Sequence, residues 1–192
     1  MKEYAPLIDV IRNEISLSET EEIALASAFN LLSVSRGELL LQSGTIPQTL
    51  YFISSGFVRC FDVDTAGNEI TTNISTSNDF ITSFESFVKV IPAKESIQCI
   101  SDCILLCVSK HEYDKLYDHV AGWSDFCQTV YENYIIKLTN RVNGLQNLSA
   151  TDRYIQLLNT HPDVALNTAV KQLASYLGIR PQSLSRIRKN IK

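Results

Sequence analysis

The apolar positions of this chain switch from helical spacing to strand spacing and back again. Over residues 5–32 they recur every three or four residues. Pro6 opens a short pattern of Leu7, Ile8, Ile11 and Ile15, and Ser18-Glu-Thr-Glu21 has the make-up of a capping box. A second helix follows, with Ile23, Leu25, Ala26 and Phe29 expected inward. From Leu31 to Val108 the period is two, with strands expected at Glu38–Gln42, Leu50–Ile53, Phe57–Val63, Glu69–Ile74, Glu95–Ile100 and Ile104–Val108. Thr65–Asn68 reads as a hairpin turn and Phe80–Val90 as a compact segment between strands. Short strands so spaced suggest a small antiparallel barrel or jelly roll.

Helical spacing returns with a short helix over His111–His119 and a break at Gly122. Between Trp123 and Leu148 stands a single stripe of Trp123, Phe126, Val130, Tyr134, Leu138, Val142, Leu145 and Leu148. One such stripe on a long helix has to be covered, and a second copy of the chain is the economical cover. Ser149 starts a further helix through Asn159, with Tyr154, Leu157 and Leu158 inward, which His161-Pro162 ends.

The last 25 residues read as a helix-turn-helix. Val170, Leu173, Ala174 and Leu177 form one apolar face, and Leu184, Ile187 and Ile191 form its counterpart. Gly178 stands where the turn needs a positive φ, and Pro181 suits the first position of the second helix. With the stripes inward, Gln182, Ser183, Ser185, Arg186, Arg188 and Lys189 are left to face outward, a residue set fit for a major groove. Charge follows the same division. Residues 171–192 carry six basic residues and no acid, whereas residues 1–170 carry 11 basic and 21 acidic residues, a net of −10. An acidic body with a basic tip is the pattern of a separate DNA-binding module.

The remaining composition narrows the class. The chain is 192 residues long and 45% hydrophobic, enough for one or two globular domains. It has no apolar run of membrane-spanning length and no signal-peptide core at its start, so a cytoplasmic location without membrane attachment is expected. Five cysteines, spread from Cys60 to Cys127, fit reduced thiols better than disulfides. His111, His119 and His161 lie outside the strands, no paired catalytic carboxylates stand out, and neither metal, cofactor nor enzymatic activity is expected.

The order of roll, long helix and helix-turn-helix resembles the Crp/Fnr family of bacterial transcription regulators. The resemblance rests on Leu50–Arg59, Asp64–Glu69, Asp152-Arg153-Tyr154, and Leu173–Ile179 with Leu184–Arg188. It implies an α+β chain in three parts: a cyclic-nucleotide-binding-like sensor over residues 1–120, a dimerisation helix over 121–148, and a DNA-binding domain over 149–192. It also implies a homodimer on a near-palindromic duplex site, with RNA polymerase as a further partner. Arg186 takes the place of the guanine reader, Gln182 that of a base-contacting glutamate, and Ser183 and Ser185 suit phosphate. Arg188 and Lys189 supply salt-dependent attraction. Arg180 departs from the usual Ser or Thr cap and becomes a candidate phosphate contact, and the family's β-wing is not expected beyond residue 192.

The sensor departs further. Phe80–Ser109 holds no glycine and no arginine, and a phosphate there would meet Glu95 with only Lys94 to compensate. Family-type cyclic AMP binding is therefore not expected. Nor is an iron–sulfur cluster, since no cysteine precedes Cys60. Phe80, Phe84 and Phe87, with Glu85 beside them, either line a pocket for some other small-molecule effector or are plain core with Glu85 on the surface, the commoner role for such residues. The competing reading is a ligand- or protein-binding roll whose helix-turn-helix no longer reads DNA.

Overall fold

The computed structural model describes residues 3–191. Two helices, α1 (Ala5–Arg12) and α2 (Glu19–Ala28), lead into eight strands arranged as two four-stranded antiparallel sheets. One sheet has the order β1 (Asn30–Val34), β8 (Cys103–Ser109), β3 (Thr49–Ser55), β6 (Phe80–Ile81). The other has β2 (Leu39–Leu41), β7 (Ser96–Cys99), β4 (Val58–Val63), β5 (Glu69–Ser75). The sheets do not close on themselves, so of the two architectures expected the jelly roll is the one formed. The expected capping box is present, with the Glu21 carboxylate accepting from Ser18 N–H at 2.7 Å. Ile23 does not turn inward; it is 57% exposed, and Leu25, Ala28 and Phe29 form the buried face instead.

Period-two alternation explains how the first sheet serves two cores. Tyr51 and Ile53 on β3 and Cys103 and Leu105 on β8 face the space between the sheets. Leu50, Phe52, Leu106 and Val108 face outward, yet they are equally buried, because helices cover that side. These are α1, α2, α3 (Phe84–Lys89), α4 (Lys110–His119) and the first half of α5 (Trp123–Asn147).

The stripe read along α5 separates into two faces. Trp123, Phe126 and Val130 pack into the chain's own sensor core, and the same face continues through Tyr134 to Lys137 and Arg141. About 100° further round the helix lie Tyr131, Ile135, Leu138, Val142 and Leu145, alternately four and three residues apart. Ile135 and Val142 are 60% and 51% exposed.

Beyond α5 come α6 (Ala150–Thr160), α7 (Pro162–Asn167), α8 (Val170–Tyr176) and α9 (Pro181–Asn190). The turn of helix α7 was not foreseen; Pro162 ends α6 and at once begins another helix. Tyr154, Leu157, Val164, Leu173, Ala174, Leu177 and Leu184 make a third core, and Ile74 and Ile100 of the β-roll belong to it. No helix among the described residues is long and apolar enough to cross a membrane.

The junction between β3 and β4 relies on Gly56, whose φ is +98°. A Cβ there would stand 2.5 Å from the Asp102 carbonyl oxygen and 2.6 Å from Cys103 Sγ. Gly56→Ala is expected to lower stability by about 2 kcal/mol or more, combining left-handed strain with a backbone clash. Chemical denaturation checks this, and a loss under about 0.5 kcal/mol would contradict the packing described.

Candidate DNA-reading surface and sensor interior

Helix α8 ends in a Schellman motif. Gly178, at φ +67°, donates to Ser175 O at 3.0 Å, and Ile179 N–H reaches back to Ala174 O at 3.0 Å. That turn sets the angle at which α9 leaves. Pro181 occupies its first turn, and Arg180 is the N-cap without a side-chain cap bond, as the sequence implied.

Leu184 is fully buried and fixes the rotation of α9 about its axis. Arg180, Gln182, Ser183, Ser185, Arg186 and Lys189 are all exposed. Ser185 Oγ donates to the Pro181 carbonyl at 3.1 Å. Arg188 behaves differently from the outward position expected for it. Its Nη2 donates to Ala165 O at 2.6 Å, its guanidinium lies 5.7 Å from the Tyr154 ring centroid, and its Nε is buried without a partner. Arg188 thus fastens α9 to α6 and α7 rather than standing on the outer surface.

The helix-turn-helix is docked on the β-roll through β5. Ser175 Oγ accepts from Thr71 N–H at 2.9 Å and donates to Glu69 O at 3.2 Å. Arg141 of α5 donates to Tyr176 O at 2.7 Å and to Thr71 O at 3.2 Å, and Arg153 of α6 donates to Leu177 O at 3.0 Å. Arg153 and Ser175 stood in the sequence only as members of the motifs that carry the resemblance, and Arg141 was not singled out. The available signal was Arg141 itself, a cation on the periodic inward face of α5.

In the β-roll and its covering helices, the four residues considered for an effector do not converge on a common cavity. Phe80 packs against Phe52 and Phe126 at centroid distances of 5.1 and 5.6 Å, and Phe87 against Tyr113 at 5.3 Å. Phe84 packs against Tyr134 at 4.7 Å. The void among the three phenylalanines is about 10 Å³, room for one water at most. A cleft of about 130 Å³ touches Phe80 and Phe84 but is lined by neither Phe87 nor Glu85. Glu85 is exposed and paired with Lys89 at 2.8 Å. The aromatic set is core, because each ring already has a ring to pack against.

The β-roll carries buried polarity of a different kind. Arg59 lies on the other face of β4 from Val58 and Cys60, is 2% exposed, and is held by Gln98, Thr71 and Glu69. Glu95 is partly buried beside Ser83 and Cys60. Burial raises its pKa, Asp62 adds to the rise, and the bonds from Ser83 and Cys60 offset part of it. One oxygen of Asp62 is buried without a partner. Among the described residues no group of three or more His, Cys, Asp or Glu side chains is placed to hold a metal ion.

Comparison with known proteins agrees with this arrangement. Residues 31–119 match the cyclic nucleotide-binding domain family. No curated protein matches the chain by sequence. Solved structures sharing the fold include regulators of the Crp/Fnr type. FixK2 from Bradyrhizobium japonicum superposes with a TM-score of 0.74 at 14% identity, covering 85% of this chain and 84% of that one. A Crp/Fnr-family transcriptional regulator from Eubacterium rectale gives 0.72 at 14% identity, covering 93% and 87%. Catabolite activator protein from Thermus thermophilus gives 0.57 at 20% identity, covering 92% and 84%. Residues 31–119 thus carry the sequence signature of the cyclic nucleotide-binding domain family, and the chain as a whole has the Crp/Fnr fold.

The raised pKa of Glu95 has a defined consequence for stability. The folded state keeps this proton to higher pH than the unfolded state does. The resulting stabilisation is complete below the ordinary value near 4.5 and is lost as pH rises through the folded value. Glu95→Gln is therefore expected to be more stable than the parent at pH 7, with the difference closing below about pH 4.5. Denaturation midpoints across that range measure it; a variant less stable at pH 7 would contradict the account.

Proposed function

We propose that this chain is a sequence-specific DNA-binding transcriptional regulator of the cytoplasm. It acts as a homodimer on a near-palindromic site and is not controlled by cyclic AMP. Residues 1–120 serve as the sensor, 121–148 as the dimerisation helix and 149–192 as the DNA reader, with RNA polymerase as the further partner.

The observation that carries this reading is the outer face of α9. Gln182, Ser183, Ser185, Arg186 and Lys189 stand exposed on one helix whose other side is pinned by Leu184, and no acid occurs from residue 171 onward. A guanidinium free on such a face can give two bonds to guanine O6 and N7, while Lys189 and Arg180 serve phosphates. Neighbours of the Crp/Fnr type share the fold over 85% to 93% of this chain, which supports the reading. The four-three spacing from Tyr131 to Leu145, with Ile135 and Val142 exposed along it, supports a second copy, since it is the spacing of two helices packed side by side. Against cyclic AMP stand Glu95 and Asp62, whose carboxyl groups occupy the interior without a free arginine to receive a cyclic phosphate.

Enrichment of randomised duplex DNA by the full chain tests the central claim. A two-fold-symmetric site with half-sites about 34 Å apart is expected, whether or not cyclic AMP is present. Arg186→Ala should weaken specific binding about 10- to 100-fold with the fold unchanged. Equal affinity of parent and variant would instead favour a roll whose helix-turn-helix no longer reads DNA. Val142→Glu places a charge in the seam, and sedimentation should then find monomers where the parent is dimeric; a dimeric variant would move the interface elsewhere.

A further inference from the structure

Between the C-terminal half of α5 and the helices α6 and α8 lies an open cleft of about 260 Å³. Its walls include Lys137, Arg141, Arg153, Gln156, Thr160 and His161, and among the described residues no aspartate or glutamate lines it. Lys137 is neutralised by Asp79 at 2.7 Å. Arg141 and Arg153 have no carboxylate partner among the described residues; their bonds go to the carbonyls of Tyr176, Thr71, Leu177 and Leu148.

The charge there is unbalanced. The C-terminus of α8 offers at most about −0.5 charge against two guanidinium cations, and less for a helix of seven residues. Burial lowers the pKa of Arg141, and the Arg153 charge acts in the same direction. The carbonyl bonds fix both guanidiniums in place without using all five N–H donors of either. Two preorganised cations at the mouth of a cleft, with Gln156 and Thr160 as polar rim, form a receptor for an anion. The volume falls just below the usual range for small-molecule pockets, which favours a compact ligand.

We propose that this cleft binds a small phosphorylated anion on Arg141 and Arg153. The bound group joins α5 to α6 and α8, and so ties the long helix to the helix-turn-helix.

Inorganic pyrophosphate is the probe, titrated calorimetrically into the full chain at low ionic strength. The parent should bind with a dissociation constant below about 1 mM. Gln156→Glu puts a carboxylate into the cleft without removing any bond that holds α8. It should weaken binding at least about tenfold while the melting temperature stays at or above that of the parent. Arg186→Ala, on the outer face of α9, should bind pyrophosphate as the parent does. No binding by the parent up to about 10 mM overturns the proposal. Equal binding by Gln156→Glu also overturns it. So does loss of binding in Arg186→Ala, which would put the anion on the DNA-reading helix.

Discussion

β5 is the last strand of its sheet, and the backbone groups on its outer side have no further strand to bond. An open edge of this kind invites pairing with another chain unless it is covered. Here the cover is the first helix of the helix-turn-helix. A single hydroxyl, Ser175 Oγ, takes the Thr71 N–H and returns a proton to the Glu69 carbonyl, while Arg141 takes the Thr71 carbonyl. The strand edge is thereby closed by one serine and one arginine from two different helices. Glu69 also receives Arg59, the buried cation of the neighbouring strand, so the closed edge is bonded to the sheet interior as well.

Helix α5 answers to two partners at once. Its inward face begins as Trp123, Phe126 and Val130 against the sensor core and ends as Lys137 and Arg141 against Asp79 and α8. Its other face, from Tyr131 to Leu145, is apolar; Tyr131 packs against Phe84, while Ile135 and Val142 are exposed. The change from aromatic to cationic residues along one face follows what the helix passes: a dry core first, then the carbonyl-rich end of another helix.

Much of this was legible in the sequence, and the residues say why. The capping box at Ser18, the turn at Gly178 and the helix start at Pro181 are local effects, decided within four residues, and all three stand as read. What depends on distant neighbours was harder to read. The α5 stripe looked single because 3.5 and 3.6 residue repeats diverge only slowly. Arg188 looked outward because nothing nearby in sequence announces Ala165 O or the Tyr154 ring. Phe80, Phe84 and Phe87 looked like pocket walls until Phe52, Phe126, Tyr113 and Tyr134 were brought against them. Ser175 carried no signal of its own, since one hydroxyl on a short helix is unremarkable until an open strand edge lies beside it.

The length of α5 gives it a mechanical role. Its 25 residues span about 37 Å, with the aromatic end seated in the sensor and the other end beside the helix-turn-helix. As a lever pivoting at Trp123, it would carry a tilt of about 5° into a displacement of about 3 Å at its far end. That is as long as the hydrogen bonds by which Arg141 and Ser175 hold α8 to β5. A tilt of that size would therefore be enough, at the end of the lever, to break those bonds.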